Sequence, residues 1–421
     1  MSDDKKNKKS TNRELIKKVK KENIKVERPD KKNKYNKPNK ENKQKKKVYH
    51  DYSLVFAIFF LIVFGLIMIY SASFHYADKT FKDAAYFVRK QFIYSMIGIV
   101  LMLIIAYIPK GYVYLIKLSY VIYGASVFFV GLVLVLGRVT KGSKRWLNFR
   151  GVNVQPSEFA KIAIIILFSY LIVKYKKDLY SNDKKVANFK LFILFLYAFF
   201  PTILVVIENL STAIIIFMIA FCMSFLGTSM KKWHAIGVAS MLGLMLFTKK
   251  FIKLIYGIGF RGYRFQRLLV WIEPEKYSRD GGYQVVQGFY SIGSGGLFGK
   301  GLGQGLQKFF LPESQNDMIF AIIVEELGLF GALILLSLFT FIIIRMMKIV
   351  SEVRSSEGRY LVIGVIIHIS LQVIMNIAVV TGVLPNTGVS FPFISYGGSS
   401  IVALLIEMGI VLNVARTIKV D

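Results

Sequence analysis

The chain is 421 residues long, 54% of them hydrophobic, with 56 Lys and Arg against 25 Asp and Glu for a formal net charge of +31. That much apolar side chain exceeds what the interior of a soluble protein of this size can hide, so the composition excludes an ordinary soluble domain and points to an all-α, polytopic membrane protein. A lone cysteine, Cys222, inside an apolar run, and four histidines without ligand spacing exclude a disulfide framework and a structural zinc site.

The first fifty residues are crowded with Lys, including Lys5, Lys6, Lys8, Lys9, Lys43, Lys45, Lys46 and Lys47, and hold few large apolar side chains beyond Leu15, Ile16 and Ile24. Such a segment cannot offset the entropy of ordering, so residues 1–50 are expected to form a disordered basic tail and residues 51–421 the membrane domain. A nucleic-acid arm would carry similar charge. A basic tail beside a first span more commonly marks the cytoplasmic side and touches anionic lipid, so no nucleic-acid partner is expected. No small-residue cleavage site follows a short apolar core, and no removable signal peptide is expected.

Apolar runs near the ~20 residues needed to cross a bilayer predict ten spans. They run from about Leu54 to Tyr70, Phe92 to Ile108, Leu118 to Leu136, Phe159 to Val173, Leu191 to Ile207, Leu210 to Gly227, Trp233 to Phe247, Met318 to Ile344, Tyr360 to Thr381 and Ser390 to Val414. An even number puts both termini on one side. Lys174, Lys176, Lys177, Lys184 and Lys185, then Lys231 and Lys232, then Arg345, Lys348, Arg354 and Arg359 fall in loops on the side of the tail, which makes that side cytoplasmic. Only Glu208-Asn209 separates the fifth span from the sixth.

Two outward loops break the charge rule. The first carries Arg138, Lys141, Lys144, Arg145 and Arg150 beside Trp146; the second, from about Lys249 to Asp317, carries Arg261, Arg264, Arg267, Arg279, Lys300 and Lys308. Cations retained there suit a lipid phosphate or pyrophosphate, although Glu273, Glu275 and Asp280 could simply neutralise them. Between the two loops, Gln155-Pro156-Ser157-Glu158-Phe159-Ala160-Lys161 opens the fourth span, with Pro in the first turn and Glu158 three residues before Lys161. The pair reads either as a structural ion pair or as a lysine that steadies a neighbouring carboxylate such as Asp317.

The second loop, about seventy residues long, is too long for a structureless connection. Gln284 leads into a glycine run over residues 291–303 that includes Gly295 and Gly296. Its backbone can approach an anion closely, or it can be a re-entrant turn packed on neighbouring helices; it does not match a nucleotide-binding P-loop. The loop ends in Leu311-Pro312-Glu313-Ser314-Gln315-Asn316-Asp317, where Asp317 is either a chemically active carboxylate at the membrane boundary or the N-cap of the eighth span. Farther on, Glu325, Glu326, His368 and Glu407 are polar residues inside apolar spans, each a candidate for an internal pathway, with buried hydrogen bonding the favoured role for His368. The stretch from Thr381 to Ser400, with Pro385, Pro392, Ser395, Tyr396, Gly397 and Gly398, combines proline turns with small residues that permit close helix contact.

Taken in order, Ile69-Tyr70-Ser71-Ala72-Ser73, Lys144-Arg145-Trp146-Leu147, the Gln155 to Lys161 motif, Tyr283-Gln284 with the glycine run, Leu311 to Phe320 followed by Glu325-Glu326-Leu327-Gly328, and Pro385 to Ser400 resemble the shape, elongation, division and sporulation family over residues 51–419. One departure is Glu208-Asn209-Leu210-Ser211-Thr212, where many members have Asp-Leu-Gly-Thr. The resemblance implies a multi-pass peptidoglycan glycosyltransferase of the bacterial cytoplasmic membrane that polymerises lipid II into glycan strands at the outer face. Val379 to Gly382 and Tyr70 to Ser73 are closer to FtsW and SpoVE than to RodA, which implies division and the septum. It further implies lipid II and lipid-linked glycan as ligands and a class B penicillin-binding transpeptidase with other division proteins as partners.

Asp317 aligns with the family's essential aspartate and is expected to be the general base that takes a sugar hydroxyl proton. Lys144, Arg145, Arg261, Arg264 and Lys300 are expected to hold the leaving pyrophosphate, with Mg²⁺ or another divalent cation assisting and no organic cofactor. Glu158 and Lys161 are placed in support, and Trp146, Gln155, Ser157, Gln284, Gly295, Gly296, Glu313, Pro385, Ser395, Tyr396, Gly397 and Gly398 in the outer loops and cavity. Two rival readings are a lipid II flippase, which calls for charged sites near the midplane reachable from both sides, and a scaffold that recruits a transpeptidase.

Overall fold

The computed structural model of the protein describes residues 49–140, 143–149, 152–207, 209–241, 243, 252, 263–277 and 282–418. The basic tail up to residue 48, Glu208 and most of 244–262 lie outside this description. Helix α1 (Tyr52–Phe81) begins on Asp51, whose carboxylate accepts from the Leu54 amide at 3.0 Å and so satisfies one of the first turn's orphan donors. It is followed by α2 (Tyr86–Tyr107), the short α3 (Gly111–Lys117) and α4 (Ser119–Leu136).

Strands β1 (Arg138–Thr140), β2 (Ser143–Phe149) and β3 (Val152–Val154) then form a small antiparallel sheet in the first outer loop, pairing Arg138 with Trp146 and Leu147 with Val154. Helix α5 (Pro156–Lys174) starts with proline in its first turn, followed by the one-turn α6 (Lys176–Leu179), α7 (Lys184–Val206) and α8 (Leu210–Gly227). The fifth and sixth spans are separate helices because Asn209 caps α8 through the Thr212 amide at 3.3 Å.

A helix over 231–241 (α9) is the described part of the expected seventh span. Within the long outer loop lie α10 (Tyr263–Ile272) and α11 (Gly282–Gly295), so the loop is structured where described. The last three helices are α12 (Ile319–Glu352), α13 (Ser356–Val380) and α14 (Gly398–Ala415).

Among the described residues, nine helices are long and apolar enough to cross a membrane, against the ten spans expected, because the seventh runs into residues outside the description. The tenth span begins later than Ser390: residues 390–397 fold into turns, with Pro392 in them and Phe393 at φ 63°. Helix α5 is the most enclosed span, followed by α14 and α8, whereas α2, α4 and α7 present much of their apolar surface outward. The turn over 390–397 is plugged into this interior by Phe391, whose ring stacks on Phe320 at 5.4 Å and meets Phe339 edge-on.

Candidate active site

Asp317 closes the loop that leads into α12, and its backbone is held from several sides. Ser314 Oγ donates to the Ala72 carbonyl on α1 at 2.7 Å, Ser395 Oγ donates to the Asn316 carbonyl at 2.6 Å, and the Tyr396 amide donates to the Gln315 carbonyl at 2.9 Å. Asn376 on α13 donates from one Nδ2 to the carbonyls of Asp317 at 2.9 Å and Val389 at 2.6 Å. Glu313 adopts φ 54° in the turn that places its carbonyl on the Asn316 amide. Helix α1, helix α13 and the turn before α14 thus fix the position of one half-buried aspartate.

The carboxylate itself turns toward α11. Gln284 Nε2 donates to Asp317 Oδ1 at 3.2 Å and to the Pro312 carbonyl at the same distance, while Asn386 Nδ2 donates to Gln284 Oε1 at 2.9 Å. Gly388, at φ +73°, lies beside the carboxylate, where a Cβ would stand 3.7 Å from Asp317 Oδ2. Helix α12 instead begins on Met318 without a side-chain cap bond, which removes the capping role considered for Asp317.

Immediately below, the glycine run performs a structural task. Helix α12 breaks at Gly328 (φ 70°, ψ −174°), and the segment after α11 supplies the missing hydrogen bonds: the amides of Lys300 and Gly301 donate to the carbonyls of Glu325 and Glu326, and those of Leu329 and Phe330 donate to the carbonyls of Gly296 and Leu297, all within 3.0 Å. A Cβ on Gly295 would lie 2.1 Å from the Val324 carbonyl oxygen. Gly295 is therefore a packing position of a re-entrant turn, Gly296 supplies its positive φ of 58° and a carbonyl to the Leu329 amide, and of the two readings of this run the re-entrant turn paired with α12 is the arrangement seen.

The two buried glutamates fasten the same turn. Glu325 accepts from Lys300 Nζ at 2.9 Å, the Leu306 amide at 2.8 Å and Ser291 Oγ at 3.1 Å; Glu326 accepts from Lys308 Nζ at 2.9 Å, the Gly303 amide at 3.0 Å and Ser71 Oγ at 2.6 Å. Lys300, expected among the pyrophosphate ligands, is thus turned inward to Glu325, because a carboxylate inside an apolar helix needs a counter-charge more than a solvated phosphate does. Glu325 and Glu326 hold a loop; they do not line a conduction path.

Lys161 is likewise paired locally. Its Nζ lies 3.0 Å from Glu158 Oε2, with both side chains buried. The structural ion pair is the arrangement seen. His368 Nδ1 in turn lies 2.8 Å from Glu407, joining α13 to α14 in the core.

The first outer loop approaches from another side. Lys144 Nζ donates to the Leu134 carbonyl at 3.1 Å, and Lys144, Arg145 and Ser157 line a water-sized cavity of about 20 Å³ with Val130, Leu204 and Asn209. Trp146 is half-buried on β2. Gln155 joins the sheet to α14 through its amide on Ser399 Oγ at 3.0 Å and donates from Nε2 to Ser157 Oγ at 3.2 Å. Gly397 donates to Gln91 on α2 at 3.1 Å, Gly398 sits under the Tyr94 ring, Tyr396 meets the Phe87 ring at 5.0 Å, and Pro385 lies in the turn that presents Asn386. Arg261 and the side chain of Arg264 lie outside the described residues.

The structure therefore gathers Asp317, Gln284, Glu313, Ser395 and Tyr396 at one site. Sequence reasoning missed Asn376, Asn386 and Gln91, although a polar amide inside an apolar span was a readable signal at Asn376. Among the described residues no group of three or more metal-ligating side chains converges.

Residues 52–420 match the model of a family of cell cycle proteins covering FtsW, RodA and SpoVE. The chain is 34% identical over 371 residues to a probable peptidoglycan glycosyltransferase FtsW of Geobacter metallireducens, covering 85% of this chain and 92% of that protein. It is 35% identical over 376 residues to the stage V sporulation protein E of Bacillus subtilis, covering 87% and 97%. Among solved structures, a chain of a peptidoglycan synthase complex, described for its coordination of polymerisation and crosslinking, superposes with a TM-score of 0.68 at 23% identity, covering 87% of this chain and 98% of that one. The rod shape determining protein RodA of Thermus thermophilus superposes with a TM-score of 0.60 at 23% identity, covering 88% and 98%.

Proposed function

The chain belongs to the FtsW, RodA and SpoVE family of cell cycle proteins, and from that membership we propose that it is a peptidoglycan glycosyltransferase that polymerises lipid II at the outer face of the cytoplasmic membrane, with Asp317 as the general base. The single observation that carries the residue assignment is the cross-bracing of Asp317, whose backbone is fixed by α1, α13 and the turn before α14 while its carboxylate takes one amide donor. Holding one acid this firmly within reach of a reacting hydroxyl is what general base catalysis requires.

In the proposed step a sugar hydroxyl oxygen bonds to the anomeric carbon of the donor as the bond from that carbon to the lipid pyrophosphate breaks. The hydroxyl proton passes to Asp317 and the electron pair of the broken bond leaves with the pyrophosphate. Lys144 and Arg145 on β2, with Arg261 and Arg264, remain the candidates for stabilising the departing charge, and Lys300 does not. Mg²⁺ or another divalent cation enters as a counter-ion whose ligands would come mainly from phosphate oxygens and water, the usual habit of Mg²⁺, and nothing in the step depends on it.

Relatives named FtsW and stage V sporulation protein E favour septal synthesis, and a class B transpeptidase that crosslinks the nascent strand is the proposed partner. The flippase reading loses ground because the two glutamates in α12 are tied to lysines of the outer loop. The test is polymerisation of purified lipid II by wild type and Asp317→Asn, with and without the cognate transpeptidase. The expected result is a roughly 10²–10⁴-fold loss in the variant with unchanged folding; glycan made at the wild-type rate by Asp317→Asn removes the assignment.

A further inference from the structure

A groove of about 670 Å³ lies at the opposite end of the bundle, between the beginning of α1 and the far half of α12. Tyr52, Phe56 and Phe60 form one wall, Leu338 and Phe341 the other. Its size falls within the roughly 300–1,000 Å³ of small-molecule sites, and its lining is almost entirely apolar. It plays no part in the chemistry proposed for Asp317, and its occupant can be identified whether or not that chemistry holds.

Three observations say what fills it. First, depth: at ~1.5 Å per residue, Phe60 lies about 12 Å along the helix from Tyr52, close to half of the ~30 Å hydrocarbon core, and no residue from the other half of either helix lines the groove. A partner's membrane helix would need a groove through both leaflets; an acyl chain needs one. Second, the mouth lies at a belt of interfacial aromatics, where His50 stacks on Tyr52 at 5.7 Å and approaches Tyr107, whose ring is covered by Arg416.

Third, the α12 wall changes character along one helix face. Leu338, Phe341, Arg345 and Lys348 follow at helical spacing, so the apolar wall runs directly into cations. Arg345 is bound to Asp51 at 2.9 Å, but Lys348 is half-exposed and lies 3.8 Å from Glu352, a surface contact weak enough to be exchanged. Apolar slot, aromatic rim and basic cap follow the order of an anionic amphiphile.

We propose that this groove binds one anionic glycerophospholipid of the leaflet that meets the basic end of the bundle, with an acyl chain between α1 and α12 and the phosphate at Lys348. The experiment is native mass spectrometry of the full chain released from bilayer discs containing equal phosphatidylglycerol and phosphatidylcholine. One retained phosphatidylglycerol is expected, with Lys348→Gln reducing its preference about fivefold, the effect of one lysine near an anionic surface. Ser53→Trp, on an exposed groove position, and Leu338→Trp, from the facing wall, should each expel the lipid while the protein stays folded. Equal retention of both lipids overturns the proposal, as does selective retention that survives both tryptophans. A photo-crosslinker at Phe341 should yield a lipid adduct in cells; a polypeptide adduct would assign the groove to a protein partner instead.

Discussion

Gln284 Nε2 lies 3.2 Å from Asp317 Oδ1, and because Asn386 holds Gln284 Oε1 at 2.9 Å, the amide can present only its donor side to the carboxylate. Gln284 is accordingly a positioning residue. Gln284→Ala should lower kcat about tenfold or somewhat more, the loss of one hydrogen bond to a charged group, with little change in KM. Gln284→Glu places a second carboxylate against the first, so its deficit should be deepest at neutral pH and ease as the pH falls and the pair takes up a proton. Rates of lipid II polymerisation across pH decide the matter, and a Gln284→Ala enzyme with wild-type kcat contradicts it.

Lys308 and Glu326 are both buried at an ion-pair distance of 2.9 Å, with side-chain exposures of 1% and 0%. Removing the cation alone strands a charge, so Lys308→Met should destabilise the protein by about 3–5 kcal/mol. Lys308→Met with Glu326→Leu should recover only part of this, because Ser71 and the Gly303 amide then lose their acceptor. Denaturation in detergent, run as a double-mutant cycle, measures the coupling.

Gly328 and Gly124 offer a matched contrast. A Cβ at Gly328 would sit 2.3 Å from the Leu297 carbonyl oxygen at φ +70°, whereas one at Gly124 meets nothing within 4 Å. Gly328→Ala should therefore disrupt the pairing of α12 with the glycine turn and depress both stability and polymerisation. Gly124→Ala should be neutral or slightly stabilising, since alanine costs a helix roughly 1 kcal/mol less than glycine. Equal melting temperatures for the two variants would count against the pairing.

Lys161→Met should lose activity through stability. With Glu158 left buried and uncompensated, a loss of about 3–5 kcal/mol is expected, and adding Glu158→Gln should restore much of the folding and part of the activity. If Lys161→Met is as stable as wild type yet inactive, the lysine acts on substrate directly.

Tyr396 supplies a pH test at the site's edge. Burial, with lesser contributions from Tyr94 and Tyr86, pushes its phenol up to about 12 from an ordinary 10.0. The folded state holds this proton where the unfolded chain has released it, so its contribution to stability is complete below pH 10 and is lost as the pH rises toward 12. Tyr396→Phe should flatten that part of the alkaline unfolding curve, measured by melting temperature at stepped pH.

The helices and the boundary position of Asp317 were legible because apolar length and a carboxylate at the start of an apolar run are local properties of the sequence. Asn209 as the break between α7 and α8 was legible for the same reason. The small sheet was hidden, since β2 pairs within a loop whose Lys and Arg content reads as ligand chemistry before it reads as strand. The role of Lys300 was hidden more deeply, and the glycine run was left between an anion cradle and a re-entrant turn: each depends on residues about 25 to 33 positions away on α12, and no periodicity reports which distant carboxylate a lysine will meet. The turn over 390–397 was read as helix because its Phe and Ile content is as apolar as a span, while Pro392 and the left-handed Phe393 prevented it.

Two adjacent carboxylates near one end of α12 also constrain how the protein is made. Each acidic residue exposed to hydrocarbon costs on the order of 2.5–3.5 kcal/mol at a helix centre, and here the relief comes from lysines and amides that precede the helix in the chain. A solitary inserted α12 therefore carries a penalty that is relieved only when residues 300–308, already translocated because they precede it, come to lie beside it and α1. Biogenesis of this enzyme is thereby given an order, and a nascent chain in which that segment is delayed would offer its unmatched acids to membrane quality control.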